Sequence, residues 1–317
     1  MRPALALALA GALAGCSVSE PPAPPPQPQP ELMKWPDLLE RPRPEPNSTV
    51  AYGPDQMHKA DLWLPAGKGP HPTVLMVHGG CWQTEIADRR IMNWIADDLR
   101  KRGIAVWNID YRGVDRTGGG YPGTFADAAA AADSLRAQAG RHRLDLWPLV
   151  AVGHSAGGHL ALWLAARRSP AARSPGPLIP SGSPLLAADP LPIDAVVSLG
   201  GLPDLELAAT PPGSGCGTEV VEKLVGPPTL SSRNVYADTS VPRLAPLGAR
   251  QVLINGLQDR IIPTAFAEDY AGKMRAAGDR VKVRMIDRTG HVELIAPETA
   301  AWAAAVEEIE AALGRKR

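Results

Sequence analysis

The chain has 317 residues, of which 44% are hydrophobic and 21% are charged, enough material for a sizeable globular core. Its 33 basic and 33 acidic side chains cancel, so no cationic excess is available to neutralise phosphates and a nucleic-acid partner is not expected. No internal apolar run approaches the roughly 18–20 residues that span a bilayer. The composition therefore indicates a globular protein and argues against nucleic-acid-binding and membrane-spanning classes.

Residues 1–15 have the features of a secretory signal: Arg2 supplies a positive charge, an alanine–leucine run follows, and small residues end the segment. The ending Leu13-Ala14-Gly15-Cys16 resembles the lipobox of bacterial lipoproteins. That resemblance implies cleavage before Cys16 and lipidation of Cys16, which would anchor the protein on the periplasmic side of the cell envelope. Ser17 favours the outer membrane in the same pattern. The alternative is an ordinary signal peptide with an incidental cysteine.

Residues 16–46 are rich in proline and are predicted to tether the folded domain, residues 47–317, to the lipid. Proline fixes φ and lacks a backbone donor, so this segment favours an extended, semi-rigid spacer. With Cys16 lipidated, two cysteines remain, Cys81 and Cys216. An oxidising periplasm allows them to pair, but the sequence leaves open whether they come within disulfide range.

Short apolar segments that alternate with helical patterns predict an α/β fold, with one mostly parallel sheet covered by helices on both faces. Two antiparallel strands come first, at 49–53 and 60–65, and further strands are predicted at 73–77, 104–109, 149–152, 195–200, 251–256 and 281–286. Helices are predicted at 91–99, 121–138, 159–166, 264–277 and 297–313. Residues 173–192 are predicted to be an exposed insertion, and residues 203–244 a lid or substrate-shaping insertion.

The segment Gly153-His154-Ser155-Ala156-Gly157 lies between a predicted strand and a predicted helix. A strand, a tight turn and a helix form the setting of a G-x-S-x-G nucleophile elbow, which holds the serine hydroxyl out at the carboxyl edge of the sheet. The alternative is a glycine-rich turn whose serine only caps the following helix.

A serine hydroxyl needs a base to attack a carbonyl, and in this architecture the expected chain order is Ser, then Asp or Glu, then His. Only His159 and His291 follow Ser155. His159 lies one turn into the following helix and cannot reach back over the hydroxyl without bending that helix. His291 follows the last predicted strand, at the same edge of the sheet, and is therefore the predicted base; the alternative is a surface histidine.

Asp259 follows the penultimate predicted strand and is the predicted acid of the triad. A buried carboxylate there would fix the tautomer of His291 and stabilise the imidazolium formed during attack. Asp204, after the preceding strand, is a competitor. Asp287 lies at the end of the last strand, too near His291 in sequence to face it well.

The segment His78-Gly79-Gly80-Cys81-Trp82 follows an early buried strand and is predicted to complete an oxyanion hole. The backbone N–H of Gly80 or Cys81, together with that of Ala156, would stabilise the developing oxyanion. A plain turn between strand and helix is the alternative, and a structural role is predicted for the imidazole of His78. The candidates for the substrate pocket are Trp82 and His154.

Four motifs in this order resemble the α/β-hydrolase fold: His-Gly-Gly-x-Trp, Gly-His-Ser-Ala-Gly-Gly-His, Gly-x-x-Asp-Arg-Ile-Ile-Pro and Thr-Gly-His. The resemblance covers roughly residues 50–313. It is closest to the small esterases that include BD-FAE-type feruloyl and acetyl-xylan esterases and kynurenine formamidase-like enzymes. It implies Ser155 as nucleophile, Asp259 as acid and His291 as base, with neither a metal ion nor an organic cofactor. Cys81 is a departure, since related sequences often carry Gly, Tyr or Phe there.

The sequence therefore predicts a serine hydrolase that cleaves small-molecule carboxylic esters, with short acyl groups favoured, through an acyl-enzyme. Amide hydrolysis is the first alternative, either of aryl formamides or of peptides as in S9-type peptidases. The chain has no room for the propeller domain that usually accompanies such peptidases. The second alternative is a catalytically silent fold that serves as a binding module in the envelope. A complete triad argues against this alternative, because a binding module does not need one.

Overall fold

The apolar segments of the sequence pair into one eight-stranded sheet in the computed structural model, which describes residues 31–230 and 232–315. The predicted signal peptide, Cys16 and most of the predicted tether lie outside the described residues. The strands are β1 (Ser48–Ala51), β2 (Lys59–Trp63), β3 (His71–Val77), β4 (Ala105–Ile109), β5 (Leu144–His154), β6 (Ala195–Leu199), β7 (Arg250–Gly256) and β8 (Val281–Ile286).

Helices follow most of the strands, as the alternating pattern predicts. They are α1 (Trp35–Leu39), α2 (Asn93–Lys101), α3 (Gly123–His142), α4 (Ala156–Ala166), α5 (Pro170–Arg173), α6 (Leu205–Ala208), α7 (Thr218–Val225), α8 (Ala265–Ala276) and α9 (Ala300–Ala312). Short 3₁₀ turns cover Arg89–Met92, Val241–Leu244 and Glu293–Ile295. None of the described helices combines the length and apolar character that crossing a bilayer requires.

The strand order is β1-β2-β4-β3-β5-β6-β7-β8, and β2 runs antiparallel to both of its neighbours while the other pairs are parallel. Strand β3 is central, and its residues from Thr73 to Val77 are all buried. Their side chains alternate between two cores, because successive residues of a strand point to opposite faces. Helices α3, α4 and α8 cover one face, and α1, α2 and α9 cover the other. The predicted mostly parallel α/β fold is confirmed.

The folded domain begins earlier than predicted. Leu38 in α1 is fully buried in the core beneath α2 and α9. The carbonyl oxygen of Pro44 accepts a hydrogen bond of 2.9 Å from the side chain of Asn93. Residues 32–46 are thus part of the domain rather than an extended tether, because they bury apolar side chains and pair backbone groups against it.

The insertion at residues 203–244 contains the short helices α6 and α7 and packs at the carboxyl edge of the sheet. The N–H of Gly215 donates to the carbonyl oxygen of Ile261 at 2.7 Å, and the hydroxyl of Tyr121 donates to Asp238 Oδ2 at 2.7 Å. These contacts hold the insertion beside the loops that follow β4 and β7. Its role as a lid stays a prediction.

Two adjacent leucines in α1 test whether this helix belongs to the fold. Leu38→Ala is expected to lower the free energy of unfolding by about 2–5 kcal/mol, the usual effect of truncating a buried leucine. Leu39 is 40% exposed, and Leu39→Ala should change that free energy by less than about 0.5 kcal/mol. Urea unfolding followed by circular dichroism measures both, and equal small effects would contradict the docking of α1.

Candidate active site

Ser155 occupies a strained turn between β5 and α4, with φ 54° and ψ −123°. A non-glycine residue with positive φ is held only where the surroundings enforce it. Here, the turn packs too closely for side chains on its glycines: a Cβ at Gly153 would lie 2.1 Å from the carbonyl oxygen of Gly157, and one at Gly157 would lie 2.2 Å from that of Val77. The N–H of Ser155 donates to the carbonyl oxygen of Leu199 at 2.8 Å. The predicted elbow geometry is therefore present.

Asp259 and His291 come together across the ends of β7 and β8. Nδ1 of His291 donates to Asp259 Oδ2 at 2.6 Å, and both side chains are buried. The second carboxylate oxygen accepts the N–H groups of Ile261 and Ile262 at 2.8 and 2.9 Å. These bonds fix the carboxylate, which in turn fixes the imidazole with Nδ1 protonated and Nε2 free to take a proton.

The competing carboxylates have other partners. Asp204 caps helix α6 and pairs with Lys273, whose Nζ lies 2.6 Å from Oδ2. Asp287 accepts a hydrogen bond of 3.2 Å from the side chain of Gln258. The structure therefore brings Asp259 to His291, as the preferred sequence assignment expects.

His291 and the Ser155 turn are neighbours. The ring of His154, directly before Ser155, has its centroid 4.5 Å from that of His291. The carbonyl oxygen of Leu199 accepts the N–H of Ser155, and the next residue, Gly200, packs against His291. A Cβ at Gly200 would lie 3.2 Å from Nδ1 and from Cε1 of His291. The nucleophile, base and acid predicted from the sequence thus occupy one site at the carboxyl edge of the sheet.

The predicted oxyanion loop also reaches this site. Gly79 packs so closely that a Cβ on it would lie 3.0 Å from Cβ of Ser155. Gly80, Cys81 and Trp82 have φ values of 105°, 50° and 53°, an unusual run of left-handed residues. The N–H of Ala156, the first residue of α4, has no acceptor within its own helix. The loop therefore packs against the elbow, and its role in an oxyanion hole stays a prediction.

A disulfide bond joins Cys81 to Cys216, a pairing that the sequence left open. It connects the predicted oxyanion loop to the insertion at residues 203–244. Because Cys81 is held at positive φ, a covalent bond at its side chain opposes relaxation of the loop. The bond therefore restrains the loop that carries the Cys81 N–H.

Buried charges hold the start of the same loop. Nδ1 of His78 donates to the carbonyl oxygen of Gly79 at 2.6 Å, and Nε2 lies 2.9 Å from Asp110 Oδ1. The ring stacks on Tyr111 at 4.3 Å, and Arg89 Nη1 donates to the other oxygen of Asp110 at 2.9 Å. His78 thus supports the loop, the structural role expected for it. Asp110 was missed, although its position directly after β4 marks it as an edge residue.

The two candidates for the substrate pocket, Trp82 and His154, are both buried. His154 is 1% exposed, and its Nε2 donates to the carbonyl oxygen of His291 at 3.2 Å. Burial, and then the nearby imidazole of His291, holds the pKa of His154 well below its usual range, so His154 stays neutral. Trp82 is fully buried, with its ring edge against His159 at 5.5 Å. The hydrogen bond of His154 therefore supports the loop of the predicted base, and a role of Trp82 and His154 in the substrate pocket stays a prediction.

Two further residues near His291 were not indicated by the sequence analysis. Trp35 contacts the ring of His291, and the carboxylate of Glu293 bonds the N–H of Gly290. Trp35 begins the apolar helix α1, and Pro36 at its start is a typical helix-initiation signal that the proline-rich surroundings obscured. No cluster of three or more potential metal ligands occurs in the described part of the chain.

The fold and the arrangement of these residues define an α/β-hydrolase. Residues 60–274 match the family model of BD-FAE, and the chain belongs to that family.

The probable isoprenylcysteine alpha-carbonyl methylesterase ICME of Oryza sativa subsp. japonica is 26% identical over 251 residues. The match covers 78% of this chain and 58% of the rice protein, so the chain spans less than two thirds of that relative.

Solved structures share the fold at lower identity. Esterase B from Lactobacillus rhamnosis has a TM-score of 0.68 and 17% identity, over 86% of this chain and 88% of that one. A truncated carbohydrate esterase from gut microbiota has a TM-score of 0.63 and 18% identity, over 85% of this chain and 97% of that one. Both structures, like the rice protein, carry esterase names.

Opening the disulfide should slow catalysis more than it weakens substrate binding. Cys216→Ser leaves Cys81 and its N–H in place but releases the loop. We expect kcat on a p-nitrophenyl ester to fall about tenfold, less than the 10²–10³-fold effect of losing an oxyanion donor outright. Dithiothreitol should lower the wild-type kcat to the same level and leave the Cys216→Ser variant unchanged. An active wild-type enzyme that is insensitive to reduction would contradict this role.

The buried His159 should make stability depend on pH. Burial lowers its pKa from 6.5 to about 4, while its Nε2 donates to the carbonyl oxygen of Thr239 at 2.8 Å. At pH values between about 4 and 6.5, only the unfolded chain binds the proton. The free energy of unfolding therefore decreases as the pH falls below 6.5. Each pKa unit corresponds to about 1.4 kcal/mol, so His159 should account for a loss of about 2 kcal/mol between pH 7.5 and pH 5. Urea unfolding should show a flatter pH dependence in His159→Gln; identical slopes would refute the assignment.

Proposed function

We propose that this protein is a serine hydrolase that cleaves carboxylic esters with Ser155, His291 and Asp259. The observation that carries the proposal is the 2.6 Å hydrogen bond from His291 Nδ1 to Asp259, formed beside a serine held on a strained elbow. Membership of the BD-FAE family and the esterase names of the relatives support ester hydrolysis as the reaction class.

In this mechanism Nε2 of His291 removes the proton from the Ser155 hydroxyl as its oxygen attacks the ester carbonyl carbon. The resulting oxyanion would accept hydrogen bonds from the N–H of Ala156 and from that of Gly80 or Cys81, which pre-organised backbone geometry favours. Asp259 stabilises the imidazolium that forms. His291 then donates the proton to the departing alcohol oxygen, leaving an acyl group on Ser155.

Hydrolysis of the acyl-enzyme by water completes the catalytic cycle. His291 removes a proton from water, which attacks the acyl carbon, and the second oxyanion collapses to release the acid and restore the Ser155 hydroxyl. Ser155 is only 2% exposed and His291 only 6%, which supports short acyl groups as the favoured substrates.

We further propose that the enzyme works in the cell envelope, anchored through lipid on Cys16. The Cys81–Cys216 disulfide supports this location, because such bonds persist in oxidising compartments and are rare in the cytosol. The ester is then met on the periplasmic side of a membrane, and no nucleic acid is involved.

Hydrolysis of p-nitrophenyl acetate, butyrate and octanoate tests the proposed reaction. We expect turnover that favours the short chains, and we expect Ser155→Ala to lower kcat by at least about 10⁴-fold, because the nucleophile and its base act as a unit. Turnover that is the same in wild type and Ser155→Ala would refute the mechanism.

A matched pair of carboxylate variants serves as the control for the acid. Asp259→Asn should lower kcat by about 10³–10⁴-fold, since an amide cannot hold the required histidine tautomer. Asp287→Asn, at the end of the neighbouring strand and without a contact to His291 among the described hydrogen bonds, should retain wild-type turnover. Folded content by circular dichroism must match in all variants.

A further inference from the structure

Residues 32–38, which we name the N-terminal clasp, lie against the catalytic base. The ring of Trp35 in this clasp meets His291 edge to face, with centroids 6.2 Å apart and planes at 78°. The same ring meets His154 at 6.3 Å and 75°. Aromatic pairs favour this T-shaped arrangement at such distances. Trp35 therefore contacts the base and the residue that precedes the nucleophile at the same time.

A buried carboxylate bonds the clasp to the loop of the base. Glu293 is 6% exposed, and its Oε1 accepts the N–H of Met33 at 2.6 Å. Its Oε2 accepts the N–H of Gly290 at 3.0 Å, and Gly290 directly precedes His291. One side chain thus links the clasp backbone to the backbone of the catalytic loop. Charge-assisted bonds of this kind are stronger than neutral ones.

The clasp has anchors that do not involve the histidines. Leu38 is fully buried in the core beneath α2 and α9. Just beyond the clasp, Arg41 pairs with Glu298 at 2.5 Å. Trp94 Nε1 also donates to the carbonyl oxygen of Pro42 at 3.2 Å. Because these contacts hold the segment independently, loss of the Trp35 ring alone should leave the clasp docked.

We infer that Trp35 and Glu293 are positioning residues for His291, an inference that rests on the proposed hydrolase function. During the reaction His291 must keep Nδ1 on Asp259 while Nε2 serves first Ser155 and then the leaving group. Trp35 restricts rotation of the imidazole from the side of His154, and Glu293 fixes the backbone from which the imidazole extends. Small displacements of a catalytic group lower rates strongly, so these contacts act on kcat rather than on substrate binding.

The clasp therefore serves catalysis in addition to the linkage predicted for it. The clasp lies within residues 16–46, which the sequence predicts to be a tether, and Trp35 in the clasp contacts the base. Residues 32–38 are accordingly required for full activity even in a protein released from its lipid.

Kinetics of variants in the full chain test the inference. With p-nitrophenyl acetate, Trp35→Ala should lower kcat about tenfold and change KM less than about twofold. This decrease in kcat is smaller than the decrease that a fully misplaced catalytic group can cause. Trp35→Phe keeps an aromatic ring and should recover most of the loss. Glu293→Gln can accept only one of the two N–H bonds and should also lower kcat. Trp147→Ala, at a 71% exposed tryptophan, is the control and should leave both constants unchanged.

A second readout separates positioning from loss of folded protein. The rate at which a fluorophosphonate modifies Ser155 depends on His291, and it should fall in Trp35→Ala in parallel with kcat while the final labelled fraction stays complete. A folded Trp35→Ala variant with wild-type kcat would overturn the inference. So would an increase in activity, because it would identify the clasp as an inhibitory cover. A wild-type chain without Ser155-dependent turnover would instead overturn the proposed function itself.

Discussion

The close packing of the turn at Ser155 is the constraint on which the rest of the site depends. The serine is held at positive φ because β5 enters the turn and α4 leaves it without room for side chains at Gly153 or Gly157. The same turn places the Ala156 N–H at the start of a helix and the serine at the carboxyl edge of a parallel sheet. The other site residues lie on loops that neighbouring strands bring to that edge.

Each of these loops is held by different chemistry. The loop after β3 is fixed by the His78–Asp110 contact and by the Cys81–Cys216 disulfide. The loop of the base is fixed by Asp259 and by Glu293. Strained backbone at an active site persists only when its surroundings over-determine it, and here buried charge, a covalent bond and packing combine to do so.

The sheet and the meeting of Asp259 with His291 could be predicted because both follow local rules. Buried strands are apolar runs, and loops after the carboxyl ends of neighbouring parallel strands meet at one edge, so the proximity of Asp259 and His291 was predicted from their positions alone. Trp35 and Glu293 could not be found in this way, because their roles depend on contacts between segments about 260 residues apart. The boundary near residue 47 was wrong for the same reason: proline content describes a local preference, whereas burial of Leu38 is a tertiary effect.

The most direct test is a crystal structure of the protein after reaction with a fluorophosphonate. We expect phosphorus bonded to Ser155 Oγ and a phosphonyl oxygen about 2.7–3.1 Å from the backbone nitrogen of Ala156 and from that of Gly80 or Cys81. We also expect Nε2 of His291 beside the bonded Oγ, with Nδ1 still on Asp259. An adduct on another residue, or a phosphonyl oxygen directed away from these N–H groups, would contradict the proposed mechanism.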